Sequence, residues 1–187
     1  GETSGKLKLI PHIYWSRHYD EFQLFREGSP HVPGWYTNHN YHRSDLWGMN
    51  LNMQYASLWG ITNFGGEFRN EGILSNVLGL PMEEAIGKYT KSDNRTNISL
   101  FAEHNFVLQR YTLSLGGLLH HNPSVSTRMH FYPALNASMR ATEALSLYAS
   151  WNKATRMPTF TDLYYTTATH TGNISLEAEQ SEALEVG

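Results

Sequence analysis

Taken two residues at a time, most of the chain separates into an apolar and a polar series. Such alternation marks a strand that hides only one face from water. In residues 6–15 the odd positions carry Leu7, Leu9, Pro11, Ile13 and Trp15, while the even side carries Lys6, Lys8 and His12. The apolar series then moves to even positions at Phe22 and Leu24, which predicts a bulge near Tyr19. Trp47, Met49, Leu51, Met53 and Tyr55 oppose Gly48, Asn50, Asn52 and Gln54 without a break. Phe64, Gly66 and Phe68 oppose Asn63, Glu67, Arg69 and Glu71. Ile98, Leu100, Ala102 and Phe106 oppose Asn97, Ser99, Glu103 and Asn105, with Phe101 as the exception. Three more series centre on Leu113, Leu135 and Leu147, and an eighth begins at Ser181. The helical period shows only as a single turn predicted within 81–86.

The connections carry as much information as the strands. They fall at 26–43, 58–60, 76–94, 107–109, 122–126, 141–143 and 155–177. The second, fourth and sixth are tight. The first, third and seventh are long and rich in aromatic residues, His, Gly and Pro. In an up-and-down antiparallel sheet every second connection lies on the same edge, so long loops gather on one side and tight turns on the other. Transmembrane β-barrels have this layout, with short periplasmic turns and long extracellular loops. The expected fold class is therefore all-β, an antiparallel up-and-down transmembrane barrel segment of about eight strands.

Two features favour lipid over a protein core. Trp15, Trp47, Tyr55, Trp59, Phe106, Tyr111 and Trp151 sit near strand ends, where an interfacial girdle places aromatics. Glu67, Arg69, Glu71 and Glu103 lie deep in strands on the opposite face. Such groups need water or partners, and the lumen of a wide barrel offers both. The same alternation also fits a soluble antiparallel barrel or sandwich that binds a small apolar ligand.

Composition narrows the classes further. The 187 residues suffice for a domain, and the formal net charge of −3 gives no basic patch for nucleic acid. Cysteine is absent, which removes disulfides and thiolate metal sites. Aromatics are abundant, with 11 Tyr, 8 Phe and 5 Trp. No apolar run approaches the roughly 20 residues of a membrane helix, but a barrel strand crosses with only about 10. No signal peptide is visible in the first residues.

The C-terminal third carries a family resemblance. Trp151-Asn152-Lys153-Ala154-Thr155-Arg156-Met157-Pro158-Thr159-Phe160-Thr161-Asp162-Leu163-Tyr164-Tyr165 resembles the W-N-x-A-x-R-x-P-T-F-x-D-L-Y stretch of TonB-dependent outer-membrane receptors. Gly172-Asn173-Ile174-Ser175-Leu176-Glu177-Ala178-Glu179-Gln180-Ser181, with Glu185 and Gly187, resembles the family's G-N-P-x-L-x-P-E-x-S…E-x-G. Two family prolines are replaced, by Ile174 and Ala178. Gly66-Glu67-Phe68-Arg69 and Ser99-Leu100-Phe101-Ala102-Glu103-His104 are similar to middle barrel strands of the same receptors.

The resemblance implies a Gram-negative outer-membrane receptor. Such receptors are barrels of about 22 strands with an N-terminal plug. They import iron–siderophores, cobalamin, haem or saccharides with energy delivered through the TonB complex. Residues 1–187 are then expected to be part of the barrel domain alone. They hold about eight strands and neither a plug candidate, a recognisable TonB box nor the terminal aromatic strand. The implied partners are outer-membrane lipid, the TonB complex and a small-molecule nutrient, with no nucleic acid and no cofactor.

The best ligand-facing candidate is the first long loop, through Trp35, Tyr36, His39, Tyr41 and His42, because aromatic faces grip flat ligands and imidazoles add directional hydrogen bonds. Self-packing of that loop is the competing expectation. Arg156, Phe160, Asp162, Tyr164 and Tyr165 lie in the family-like stretch, where they order the loop or touch cargo. His120-His121 is a metal-binding candidate with packing as the favoured alternative, since adjacent strand residues point to opposite faces. No catalytic motif occurs, and no enzyme activity is expected. Glu67 and Glu71 stand about 13 Å apart at roughly 3.3 Å per residue, too far to act as a glycosidase pair. With Arg69 between them they read as a lumen charge ladder.

Overall fold

The structure is a computed structural model that describes residues 5–36, 39–167 and 169–187. Its strands are β1 (Leu7–Phe22), β2 (Asn40–Ser57), β3 (Gly60–Ser75), β4 (Leu80–Ile86), β5 (Tyr89–Val107), β6 (Tyr111–His121), β7 (His130–Arg140), β8 (Ser146–Arg156) and β9 (Glu179–Val186), with a single-turn helix α1 (Phe160–Tyr164) before β9. They form one sheet in the order β1-β2-β3-β5-β6-β7-β8-β9, with β4 paired to β5 off this path. Every pairing is antiparallel. Among the described residues β1 pairs only with β2 and β9 only with β8, so the sheet is open.

The register lines the apolar series up across the strands. Ile13 stands opposite Met49, Met49 opposite Phe68, and Phe68 opposite Ile98. Leu100 continues the row to Leu119, and Leu119 to Phe131. Opposed residues share a face, so an apolar band crosses one face from β1 to β7. Ile13 is 88% exposed and Met49 55%, large apolar groups with nothing folded over them. Along β2 this band runs from Trp47 to Tyr55, about 26 Å at roughly 3.3 Å per residue. At a tilt of about 35–45° that run rises about 19–22 Å, most of a band about 25 Å tall.

The tight turns follow from local chemistry. Between β2 and β3 only Leu58 and Trp59 intervene. Ser57 Oγ accepts from the Trp59 N–H at 3.2 Å and donates to the Gly60 carbonyl at 3.1 Å. Gly60 has φ +133°, and a Cβ there would fall 1.9 Å from the Asn105 carbonyl oxygen, so only glycine fits. Gly87 opens the two-residue turn from β4 to β5 with φ +60°, as primed hairpin turns require.

Three sequence expectations are corrected. No bulge occurs near Tyr19, since all 16 residues of β1 find successive partners on β2. Beyond Trp15 and Trp47 the outer row becomes ionic, with Arg17 Nε 2.5 Å and Arg43 Nε 3.0 Å from Asp45. Apolar alternation therefore stops marking the strand once it leaves the band. Residues 76–94 are not an irregular loop: β4 and the first turns of β5 make a hairpin there, and the predicted helical turn within 81–86 is β4. The strand is held at its ends, Leu80 opposite Ser92, Pro81 opposite Lys91 and Ile86 opposite Tyr89, and the register shifts across Met82-Glu83-Glu84-Ala85 between them. The break at Phe101 has a packing reason. Phe101 lies opposite Gly65, where an added Cβ would meet its ring at 2.9 Å. Tyr14 covers Gly48 in the same way, an aromatic filling the gap that a glycine leaves.

Candidate ligand-facing site

The polar face gathers its charge where β3 and β5 run beside each other. Glu71 is opposite Arg95, and Arg69 opposite Asn97. The Glu71 carboxylate receives Arg95 Nε at 2.5 Å and lies 2.9 Å from Arg69 Nε. Glu67 accepts from the Tyr14 hydroxyl at 2.7 Å. Glu103 stands apart toward the tight-turn edge, where Asn105 Nδ2 donates to it at 2.6 Å. Glu67, Arg69, Glu71 and Glu103 thus share one face, and each has a polar partner within reach.

Arg95 also fastens the segment 157–178 to this face. Its guanidinium donates to the Pro158 carbonyl and lies 4.7 Å from the centre of the Phe160 ring. Tyr164, one turn on, donates its hydroxyl to Asp93 at 2.8 Å. Burial first, and then that hydrogen bond, pushes the Tyr164 phenol up to about 12. Alternate residues of β5, Asp93 and Arg95, therefore hold both ends of α1. The helix is closed by a capping box: Thr159 Oγ1 accepts from the Asp162 N–H at 3.1 Å, and the Asp162 carboxylate accepts from the Thr159 N–H at 2.8 Å. That backbone bond, aided by the Thr159 hydroxyl, holds the Asp162 carboxyl below its usual range. Arg156 reaches Asp162 at 3.5 Å and Glu179 at 3.3 Å. Tyr165 engages through its backbone N–H, donating to the Thr161 carbonyl at 3.0 Å.

Beneath α1 lies an open cavity of about 490 Å³, lined by His18, His42, Glu71, Leu78, Arg95 and Phe160 among others. Of the first-loop candidates only His42 reaches it. His42 and Tyr41 are strand residues of β2, not loop residues, because β2 begins at Asn40. Successive strand residues face opposite ways, so Tyr41 joins the row of Glu21 and His42 the row of Asp20 and Ser75. His42 Nδ1 meets Ser75 Oγ at 2.8 Å.

Trp35, Tyr36 and His39 form a second, separate group. Tyr36 lies edge-on to Phe25 at 5.1 Å and to Trp35 at 6.1 Å. Its hydroxyl is 2.6 Å from His39 Nδ1 and accepts from the Leu24 N–H at 3.0 Å. Tyr41 carries the Lys88 ammonium 3.5 Å from its ring centre. Within this group Trp35 presents most of its ring, being 70% exposed. Thr37 and Asn38 of the same predicted loop lie outside the described residues.

Arg95 and Asp93 are the residues that sequence reasoning missed. Their signal was period two across Lys91, Asp93 and Arg95, hidden because 76–94 read as a loop. Among the described residues no group of three or more His, Asp or Glu side chains is placed to hold a metal ion.

An open sheet of up-and-down strands, apolar on one face and charged on the other, has the form of a β-barrel wall. The chain belongs to the family described as TonB dependent receptor-like, beta-barrel, whose profile matches residues 6–187. That family consists of receptors, not enzymes. Two crystal structures of mutants of the ferric enterobactin receptor PfeA from Pseudomonas aeruginosa share the fold. Each superposes with a TM-score of 0.70 at 19% identity, covering 100% and 99% of this chain. The chain spans 30% of the length of either. No curated protein matches the sequence.

Proposed function

We propose that this chain is part of the barrel wall of a TonB-dependent receptor in the outer membrane of a Gram-negative bacterium. The receptor binds a scarce small-molecule nutrient and imports it with energy from the TonB complex. The apolar face meets lipid. The face of Glu67, Arg69, Glu71 and Glu103 meets the water-filled or plugged lumen. The edge carrying residues 23–39, the β4–β5 hairpin and 157–178 is extracellular. Cargo first meets Trp35 and Tyr36 at the rim and then the cavity of His42, Arg95 and Phe160. The observation that carries this reading is the family match over a sheet whose register separates an apolar band on one face from a face of paired charges. In a closed eight-stranded barrel those charges would crowd an interior that side chains already fill. In a barrel of about 22 strands they meet water or plug.

A chelated iron cargo is the first to test, because the solved relatives are named as ferric enterobactin receptors. Cobalamin, haem and saccharides are the other classes. The test uses whole cells that carry the intact receptor, with cysteines introduced singly. Maleimide–biotin added outside should label positions 34, 83 and 171 and spare 59 and 143; the reverse pattern overturns the orientation. Uptake of a panel of labelled ferric siderophores, cobalamin and haem should stop on adding an uncoupler. Energy-independent accumulation of every cargo would refute active import.

A further inference from the structure

Adjacent histidines cannot chelate across a strand, but the register supplies another pair. His120 of β6 stands opposite His130 of β7, and opposed residues share a face with Cβ atoms about 4.5–5.5 Å apart. Both line one cavity of about 220 Å³ that is closed over by the connection from β8 to β9. His120 is only 9% exposed. Its Nδ1 lies 3.0 Å from Ser99 Oγ. With Nδ1–H donated to that hydroxyl, Nε2 carries the lone pair, the form in which imidazole binds metal. That Nε2 is buried and has no hydrogen-bond partner, a costly state for a polar atom. His130 is fixed in turn by Ser126 Oγ, 3.1 Å from its Nε2, which leaves Nδ1 as its donor atom.

We propose that His120 and His130 form a two-imidazole site for a divalent zinc ion, with water completing the coordination. Imidazole suits zinc, nickel and copper, whereas calcium and magnesium prefer oxygen. A Zn–N bond is about 2.0–2.1 Å, against about 2.9 Å for a hydrogen-bonded water, so the ion sits deeper than a water would, with its own water ligands in the cavity. Arg128 and Glu177 line the same cavity and offset each other in charge, so its walls bear no net charge against a dication. Two protein donors make the site exchangeable, unlike the closed four-donor sites that hold structural zinc. The site stands whether or not the protein imports anything.

The test is calorimetric titration of zinc chloride into the chelator-stripped intact receptor in detergent, with cobalt absorbance as a second readout. One site is expected. His120→Ala and His130→Gln should each weaken it by at least about tenfold, and Ser99→Ala should weaken it less. The His120→Ala/His130→Gln pair should abolish it. His121→Ala is the control, because His121 belongs to the opposite face, across from Ile98. Native-like mobility on unheated gels confirms folding, and if His120→Ala fails that check, His130→Gln decides. No heat with the stripped wild type, or unchanged affinity in the double variant, overturns the proposal. Equal losses in His121→Ala would also overturn it, since binding would then reflect scattered surface histidines.

Discussion

Replacing Arg95 with Ala should release the segment 157–178 from the sheet while leaving the strands intact. Arg95 makes three contacts that hold this segment or its support: the Glu71 carboxylate at 2.5 Å, the Pro158 carbonyl, and the Phe160 ring at 4.7 Å. The carbonyl bond is worth about 1 kcal/mol net, and a cation over an aromatic ring in a half-buried site about 1 kcal/mol. Glu71 keeps Arg69 at 2.9 Å, so only part of a charged bond of about 1.5–3 kcal/mol is lost, roughly 1 kcal/mol. The sum is about 3 kcal/mol, or roughly a hundredfold in the local opening equilibrium at about 1.4 kcal/mol per decade. Hydrogen exchange reads this directly. The N–H groups of Leu163, Tyr165 and Asn173 donate to Thr159, Thr161 and Asp162 at 3.1, 3.0 and 3.1 Å and should exchange about a hundredfold faster in Arg95→Ala. Those of Leu51 and Leu100 should not change. Arg95→Lys keeps the charge but loses the planar fork and should fall between the two. Unchanged protection at all three amides in Arg95→Ala would mean that the loop is held by something other than this cation.

Arg in place of Leu51 should cost about 2–4 kcal/mol in refolding titrations into lipid, whereas Arg in place of Asn50 should be mild; equal costs would sink the assignment of lipid to the apolar face. Gly48→Ala should cost about 1–3 kcal/mol by overpacking, because its Cβ would come within 2.6 Å of both the Tyr14 hydroxyl and the Phe68 carbonyl; adding Tyr14→Phe should recover part of the loss, and an unchanged unfolding midpoint in Gly48→Ala would refute the contact. The Asp162 carboxyl is held low by Thr159, so its contribution to α1 is complete above the usual carboxylate pKa of about 4 and fades as pH falls through its folded value. Exchange at Leu163 should therefore show no Asp162-dependent loss of protection between pH 7 and 5 and a growing one below about 4, and Asp162→Asn should remove that dependence; a transition near neutral pH that survives Asp162→Asn would contradict it.

The sequence by itself determined the sheet. Period-two alternation is a local consequence of strand geometry, so the apolar face, the polar face and the tight turns at 58–60 and 141–143 were legible before any partner was known. The series from Trp47 to Tyr55 could be read most cleanly because one of its faces is apolar without a break. That signal fades where the strands leave the band. Beyond Trp15 both faces carry polar groups, Arg17 on one and His18 and Asp20 on the other, and nothing in the alternation distinguished β1 continuing to Phe22 from a bulge, or β4 from a helical turn. There the answer lay in the neighbouring strand. The site was legible only in part, for the same reason. Phe160 and Asp162 could be marked from the resemblance, and His42 from its loop-like surroundings. That Arg95 joins Glu71 to Phe160, or that His120 shares a face with His130, depends on register. Register is set by which strands pair and where their turns fall, over separations of 24 residues for Glu71 and Arg95 and 63 for Arg95 and Pro158. Only the tertiary structure carries that information.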